Sequence, residues 1–479
     1  MTSRKRINIL LLLVFILIFL FTIAYCISSV FLYLYLIQNN GAIVSFYVLP
    51  VICSTIIILT KLFPRKVKTE FTVDINNDAF DEYIRTLEQK LNSRKIENRY
   101  FVFEQNAFAF LREKKTSLAI GLPLLVELST RELMAVVAHE TAHHLHGEVR
   151  NNRFVHAMNS FIIRLFLSMN RIPIFLTSLP YLLFNYPLFR VIRKYSREFE
   201  YDADRVSASI IGKGAMITAL KKLHQYRYKW NDFCENWIIV FRRYAVYPEL
   251  TEAYREYLKA DRVDEDDRVY RDFASRYDTH PTVYERIKVM SENTELEETV
   301  GKIPDFGFDT VRPSIRYWEE TSGVKTIHLT ASINEAFALV VKNVIIEYGY
   351  LFMNYRFRDI TNILKFYIKM SYSLYEKTLN DDFDFEKKII SRILSYIIFE
   401  TGKITDYTLS KNMTPVLSFN GNTIDLFAVI MNDFECDDNG TERAITALGF
   451  DLEAGLTEKI SYPINPLTEN NNPQKNKPV

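Results

Sequence analysis

The chain has 479 residues, 48% of them hydrophobic and 24% charged, and its 59 Lys and Arg nearly balance 58 Asp and Glu for a net charge of +1. That length holds one large domain or two to three ordinary ones, and the balance excludes a global field that would draw the chain onto nucleic acid. Cys26, Cys53, Cys234 and Cys436 lie far apart with no C-x-x-C pair, which excludes a disulfide framework, a cysteine zinc site and a redox dithiol. With only 14 Gly and 15 Pro, the expected fold is mainly α with a small β element.

The first elements are apolar. No residue from Ile9 to Ile37 is charged. As a helix this run would extend roughly 44 Å, more than a ~30 Å hydrocarbon core requires. A second uncharged run goes from Gly41 to Thr60, and Gln38-Asn39-Asn40-Gly41 between them reads as a polar turn. The first run is too long for the apolar region of a signal peptide and lacks a small-x-small cleavage site. Residues 1–65 are therefore expected to form a transmembrane hairpin in a lipid bilayer. Arg4, Lys5 and Arg6 precede it, and Lys61, Arg65, Lys66 and Lys68 follow it. The positive-inside rule puts both flanks in the cytoplasm, and with them everything after about residue 65 unless the chain crosses again.

Residues 154–192 are again apolar, but Arg164, Arg171, Pro173, Pro180 and Pro187 interrupt them. A re-entrant or interfacial hairpin, a second spanning hairpin and a buried helical pair all fit that pattern.

Between these regions lies the chemistry. Ser129 followed by Glu132 is a capping box opening a helix, and Leu133, Val136 and Val137 recur at helical spacing. His139, Glu140 and His143 then form H-E-x-x-H. Spacing of i, i+4 puts both imidazoles on one face as candidate zinc ligands, with Glu140 beside them to take a proton from the attacking water. His144 points off that face, and His146 lies roughly 10 Å along the axis from His139, so neither is counted as a ligand. Further on, Glu200 and Asp204 share a helical face at i, i+4. Such a pair supplies one ligand carboxylate and one acceptor that orients a histidine N–H. Glu198 and Asp202 fall elsewhere on the helix and read as solvated.

In this combination the chain resembles the membrane zinc peptidases that include the heat-shock protease HtpX, the CAAX prenyl proteases and the mitochondrial stress protease Oma. Their H-E-x-x-H is followed by E-x-x-x-D, which falls here on Glu200 and Asp204. The resemblance implies Zn(2+) held by His139, His143 and Glu200, with Asp204 orienting a ligand. Asn106-Ala107-Phe108-Ala109 resembles the family's N-A-F-A strand, implying that Asn106, Ala107 and Phe108 meet the substrate backbone. Thr279-His280-Pro281, followed by Glu285-Arg286, resembles its T-H-P segment, implying that His280 stabilises the oxyanion of the tetrahedral intermediate. The resemblance covers about residues 70–292. It departs inside the motif, where Thr141-Ala142 stands in place of the common Leu-Gly.

The expected organisation is a hairpin over 1–65, a zincin-like metalloprotease domain over 66–292, a linker over 293–313, a C-terminal α+β region over 314–463 and a disordered tail over 464–479. The C-terminal third carries no catalytic cluster, phosphate loop or basic stripe, so no nucleic-acid partner is expected. The function implied is a zinc endopeptidase acting on polypeptides at or in the membrane, the inner membrane of a bacterial cell. A CAAX-type processing enzyme and a non-catalytic zinc-binding membrane scaffold are the alternatives.

Overall fold

The computed structural model describes residues 72–93, 95–112, 115–143, 186–260, 281–292, 303–360, 362–363, 381–402, 404, 406–419, 422–436 and 440–460, together with 31, 35 and 38. The two apolar N-terminal runs lie almost wholly outside this set, as do His280, most of the 154–192 segment and the tail. Among the described residues no helix is long and apolar enough to cross a membrane. The chain is mostly helical with two small sheets, and it divides into two compact units.

The first unit comprises residues 1–224 and 266–306. Its sheet runs β1 (Val73–Asp74), β2 (Asn98–Val102), β4 (Lys115–Gly121), β3 (Ala107–Arg112) in spatial order. β2 and β4 are parallel, while β3 returns antiparallel to β4 and forms one edge. Helix α1 (Asp78–Leu91) starts where the Asn77 side chain accepts from the amide of Phe80 at 2.9 Å, and it ends at Asn92 in the left-handed conformation. Its buried Phe80, Ile84, Leu87 and Leu91 follow the i, i+4, i+7 stripe. Phe306 meets this helix edge-on at Phe80, and the Asn77 amide donates to the Phe306 carbonyl at 2.6 Å.

Helix α2 (Thr130–Ala142) opens on the reciprocal cap read from the sequence. The Ser129 amide donates to Glu132 Oε2 at 2.7 Å, and the Ser129 hydroxyl accepts from the Glu132 amide at 3.4 Å. A cap of this kind contributes about 0.5–2 kcal/mol. Lys222, from α4 (Lys213–Gln225), donates to the same carboxylate at 2.7 Å. The partner of α2 is α3 (Tyr186–Ile211). Ala135, Ala138 and Ala142 on α2 are buried, as are Ala203, Ser207 and Ala208 on α3. These small side chains permit close approach, and the Ser207 hydroxyl donates to the Ala135 carbonyl at 2.6 Å. Helix α5 (Val283–Glu292) also packs on α3.

The second unit comprises residues 225–265 and 307–479. Residues 225–260, which the sequence reading places with the peptidase region, fall in this unit. Trp230, Phe233, Trp237, Tyr254 and Tyr257 form an aromatic cluster there, and the Trp237 indole donates to the Lys411 carbonyl at 3.1 Å. Helices α6 (Val311–Ser322), α7 (Ile333–Tyr348) and α8 (Asp381–Gly402) precede an antiparallel sheet of β5 (Tyr407–Leu409), β6 (Pro415–Phe419) and β7 (Asn422–Asp425). Two helices, α9 (Leu426–Cys436) and α10 (Gly440–Ala447), follow.

Candidate metal centre

The last turn of α2 carries the two imidazoles. His143 is the C-cap residue, yet its dihedrals remain helical (φ −61°, ψ −19°), so the i, i+4 relation to His139 survives the helix end. The two Nε2 atoms are 3.2 Å apart and the rings meet edge to face. Glu140 contributes a carboxylate oxygen to the same group, with ligand atoms of His139, Glu140 and His143 all within 4.8 Å of one another.

Helix α3 brings the second set. Glu200 Oε2 lies 3.5 Å from His139 Nε2, and Glu200 Oε1 lies 3.9 Å from His143 Nε2. Asp204, one turn on, places Oδ1 3.0 Å from His139 Nδ1. The pair identified by spacing therefore splits its work as an i, i+4 pair can: one carboxylate beside the paired Nε2 atoms, the other behind the ring. Phe199 and Ala203, both buried, seat this face of α3 in the core. Glu198 is exposed and Asp202 pairs with Arg205, away from the cluster.

A tetrahedral zinc with bonds of about 2.0–2.1 Å separates its ligand atoms by about 3.4 Å. The separations of 3.2, 3.5 and 3.9 Å among His139, His143 and Glu200 fit that size without rearrangement of either helix. The charge fits as well. Three carboxylates, Glu140, Glu200 and Asp204, surround one guanidinium, which leaves room for a cation. Burial alone would depress the His139 imidazolium, but the carboxylates of Asp204 and Glu200 outweigh it and raise its pKa to about 10. Protein groups alone thus place a strong demand for positive charge on this ring, and a metal ion meets the same demand. Asp204 is held below the usual carboxylate range: burial opposes this, and Arg286 and His139 overcome it.

Arg286 is the group that sequence reasoning missed. Arriving on α5, it forks onto Asp204, with Nε to Oδ2 at 2.8 Å and Nη2 to Oδ1 at 2.5 Å, and its Nη1 lies 3.3 Å from Glu200 Oε2. Its only sequence signal was its place with Glu285 in the segment that follows Thr279-His280-Pro281, where it was given no role of its own. An arginine on a helix with charged faces reads as solvated, and nothing local marks this one as buried.

Asn106, Ala107 and Phe108 lie at the start of edge strand β3. Asn106 is exposed and Ala107 buried, and the Asn106 carbonyl accepts from the Gly121 amide at 2.8 Å. β3 packs near α2. His280 lies outside the described residues, three positions before Val283 opens α5.

Two imidazoles on one helix, with a carboxylate helix packed against it, make a donor set that could hold a metal ion. Residues 76–294 match the family model described as Peptidase family M48, so the resemblance read from the motifs holds over this segment. The chain is 32% identical to a Protease HtpX homolog of Neisseria meningitidis serogroup C over 135 residues, 25% of this chain and 48% of that protein. It is 28% identical to a Protease HtpX homolog of Bacillus pumilus over 176 residues, 32% of this chain and 59% of that protein. The chain thus spans about half the length of the curated relatives it matches. Among solved structures, the Ste24p of S. mikatae aligns over 56% of this chain and 63% of that one, at 16% identity and a TM-score of 0.27.

Proposed function

We propose that this chain is a membrane-anchored zinc endopeptidase that cleaves polypeptides at or in the membrane and serves protein quality control. The observation that carries the reading is the convergence of His139 Nε2, His143 Nε2 and the Glu200 carboxylate, separated by 3.2–3.9 Å, with Glu140 at the same point. His139, His143 and Glu200 would hold the zinc. When bound, zinc polarises a scissile carbonyl and acidifies water to about pKa 7.

The remaining work belongs to the chain. Glu140 accepts the proton of the attacking water and hands it to the leaving amine. Asp204 accepts from His139 Nδ1–H, which turns the lone pair of Nε2 towards the metal. As an antiparallel edge strand, β3 turns the backbone groups of Ala107 away from β4, where they can pair with an extended substrate, while those of Phe108 bond to Ala119; Asn106 stands at the start of the strand. His280, preceding α5, would donate to the oxyanion. The uncharged runs over 9–37 and 41–60 anchor the catalytic region on the cytoplasmic face of a bacterial inner membrane.

The test compares parent and Glu140→Gln for cleavage of a membrane-protein substrate, with zinc stoichiometry measured on each. Cleavage that requires zinc and disappears in a zinc-replete Glu140→Gln protein supports a peptidase. A parent that binds one zinc per chain without cleaving any membrane substrate would leave the scaffold alternative in its place. Labelling of Asn40→Cys from outside intact cells, and of Lys115→Cys only after permeabilisation, checks the orientation.

A further inference from the structure

The α3 face that carries Glu200 and Asp204 is met by two ion pairs of opposite polarity from the first turn of α5. Arg197 of α3 pairs with Glu285 of α5 at 2.5 Å, and Asp204 of α3 pairs with Arg286 of α5. Arg197 and Asp204 are seven residues apart, about two turns, and so lie on one face. Glu285 also accepts from the Thr282 amide and hydroxyl at 2.9 and 3.1 Å, which closes the start of α5. The position of Arg286 is therefore fixed twice, by its own cap and by a neighbouring pair.

We propose that Arg286 is a positioning residue of the metal centre: it is the internal counter-charge that keeps Glu200 and Asp204 in place in protein without zinc. The inference rests on the zinc reading above. The side chains of Glu200 and Asp204 are 8% and 1% exposed, and that of Arg286 is 14% exposed. Two buried carboxylates on successive turns repel, and water is too scarce there to relieve them. Arg286 answers both, forking onto Asp204 and reaching Glu200 with the remaining nitrogen. Only a planar guanidinium spans two carboxylates in this way. Zinc between Glu200 and His139 supplies two positive charges to the same cluster, so the centre depends on Arg286 most when zinc is absent.

The experiment is thermal melting of the full chain in detergent, with excess chelator and with saturating zinc, for the parent, Arg286→Met, Arg286→Lys and Arg197→Met. Arg286→Met is expected to lower the transition in chelator by roughly 6–20 °C, the scale of a broken buried ion pair in a unit of this size. Saturating zinc is expected to recover most of that fall, so the zinc-induced rise exceeds the parental one. Arg286→Lys keeps the charge and loses the fork; it should fall less in chelator and again recover with zinc. Arg197→Met removes only the neighbouring pair and should lower both transitions alike. Equal falls with and without zinc for the Arg286 variants, or no fall at all, would overturn the inference. If Arg286→Met does not accumulate, Arg286→Lys decides by the same comparison. A parent that neither binds zinc nor melts higher with it overturns the zinc reading as well. A parental zinc response that is no larger in the variants overturns this inference alone.

Discussion

His139 Nδ1 lies 3.0 Å from Asp204 Oδ1, with the two side chains 6% and 1% exposed. A neutral imidazole that donates from Nδ1 presents an unprotonated Nε2, the tautomer a metal ligand needs once the ion displaces the second proton. The same Asp204 carboxylate is gripped by Arg286, so its own orientation is fixed. Asp204→Asn keeps the shape and removes the charge, and its NH2 group would face a donor on one side or the other. Zinc affinity is expected to fall about 10–100-fold. Competition against a chromophoric chelator reads this directly, and parental affinity would place Asp204 outside the metal centre.

The packing of α2 on α3 sets the distance from His139 to Glu200. Ser207 is fully buried where the two helices meet, its hydroxyl on the Ala135 carbonyl at 2.6 Å. Ser207→Ala is expected to cost about 1 kcal/mol, the net value of one hydrogen bond. Ser207→Val forces extra volume between the helices and is expected to cost about 1–3 kcal/mol. Only the Val variant should also weaken zinc binding, because only it moves the helices apart. Denaturant unfolding together with zinc titration separates the two effects.

Gly121 ends β4 beneath the turn that leads into β3. An added Cβ would collide with the Glu104 carbonyl oxygen and lie 2.7 Å from that of Asn106. Both are backbone atoms and cannot swing away. Gly121→Ala is therefore expected to destabilise the first unit by about 1–3 kcal/mol and to displace Asn106 and Ala107. Under the proposed function, KM for a peptide substrate should rise more than kcat falls. An unchanged melting temperature would show that the turn has room the geometry denies.

Glu132 links the cap of α2 to α4. Its pKa is lowered from 4.5: burial pushes it up, but the Lys222 ammonium and the Ser129 amide and hydroxyl outweigh that. A carboxyl depressed on folding contributes stability that is present above its unfolded pKa and is lost as pH falls through the folded one. Glu132→Gln should thus melt below the parent at pH 6–7, with the gap closing as pH drops below 4.5. Melting curves across that range check it. A gap that persisted unchanged at pH 3 would assign the loss to shape rather than charge.

Much of α2 was legible because its signals are local. A serine and a glutamate three residues apart cap a helix wherever they fall, and helical spacing alone carries His139 and His143 to one face. The α+β character expected of residues 314–463 agrees with β5–β7 lying between helices. Spacing also paired Glu200 with Asp204 but left open which one meets the metal and which orients a ring. That division depends on where α3 lies against α2, a contact between residues more than 60 positions apart.

Residues of identical local character met different fates in the fold. Glu198, Glu200, Asp202 and Asp204 alternate along one stretch of α3, yet Glu198 is exposed while Glu200 and Asp204 are buried. Arg197 and Arg286 are both helical arginines with acidic neighbours, but only Arg286 forks onto a buried carboxylate. Trp230, Trp237 and Tyr254 read as residues of ordinary helices, and only the fold gathers them into one aromatic cluster. The sequence by itself determined a capped helix bearing H-E-x-x-H and a later helix bearing E-x-x-x-D, because periodicity and capping act within a few turns of chain. Only the tertiary structure decided that Asp204 stands behind His139, and that Arg286 answers two carboxylates, because the burial of a charge follows from which distant helix covers it.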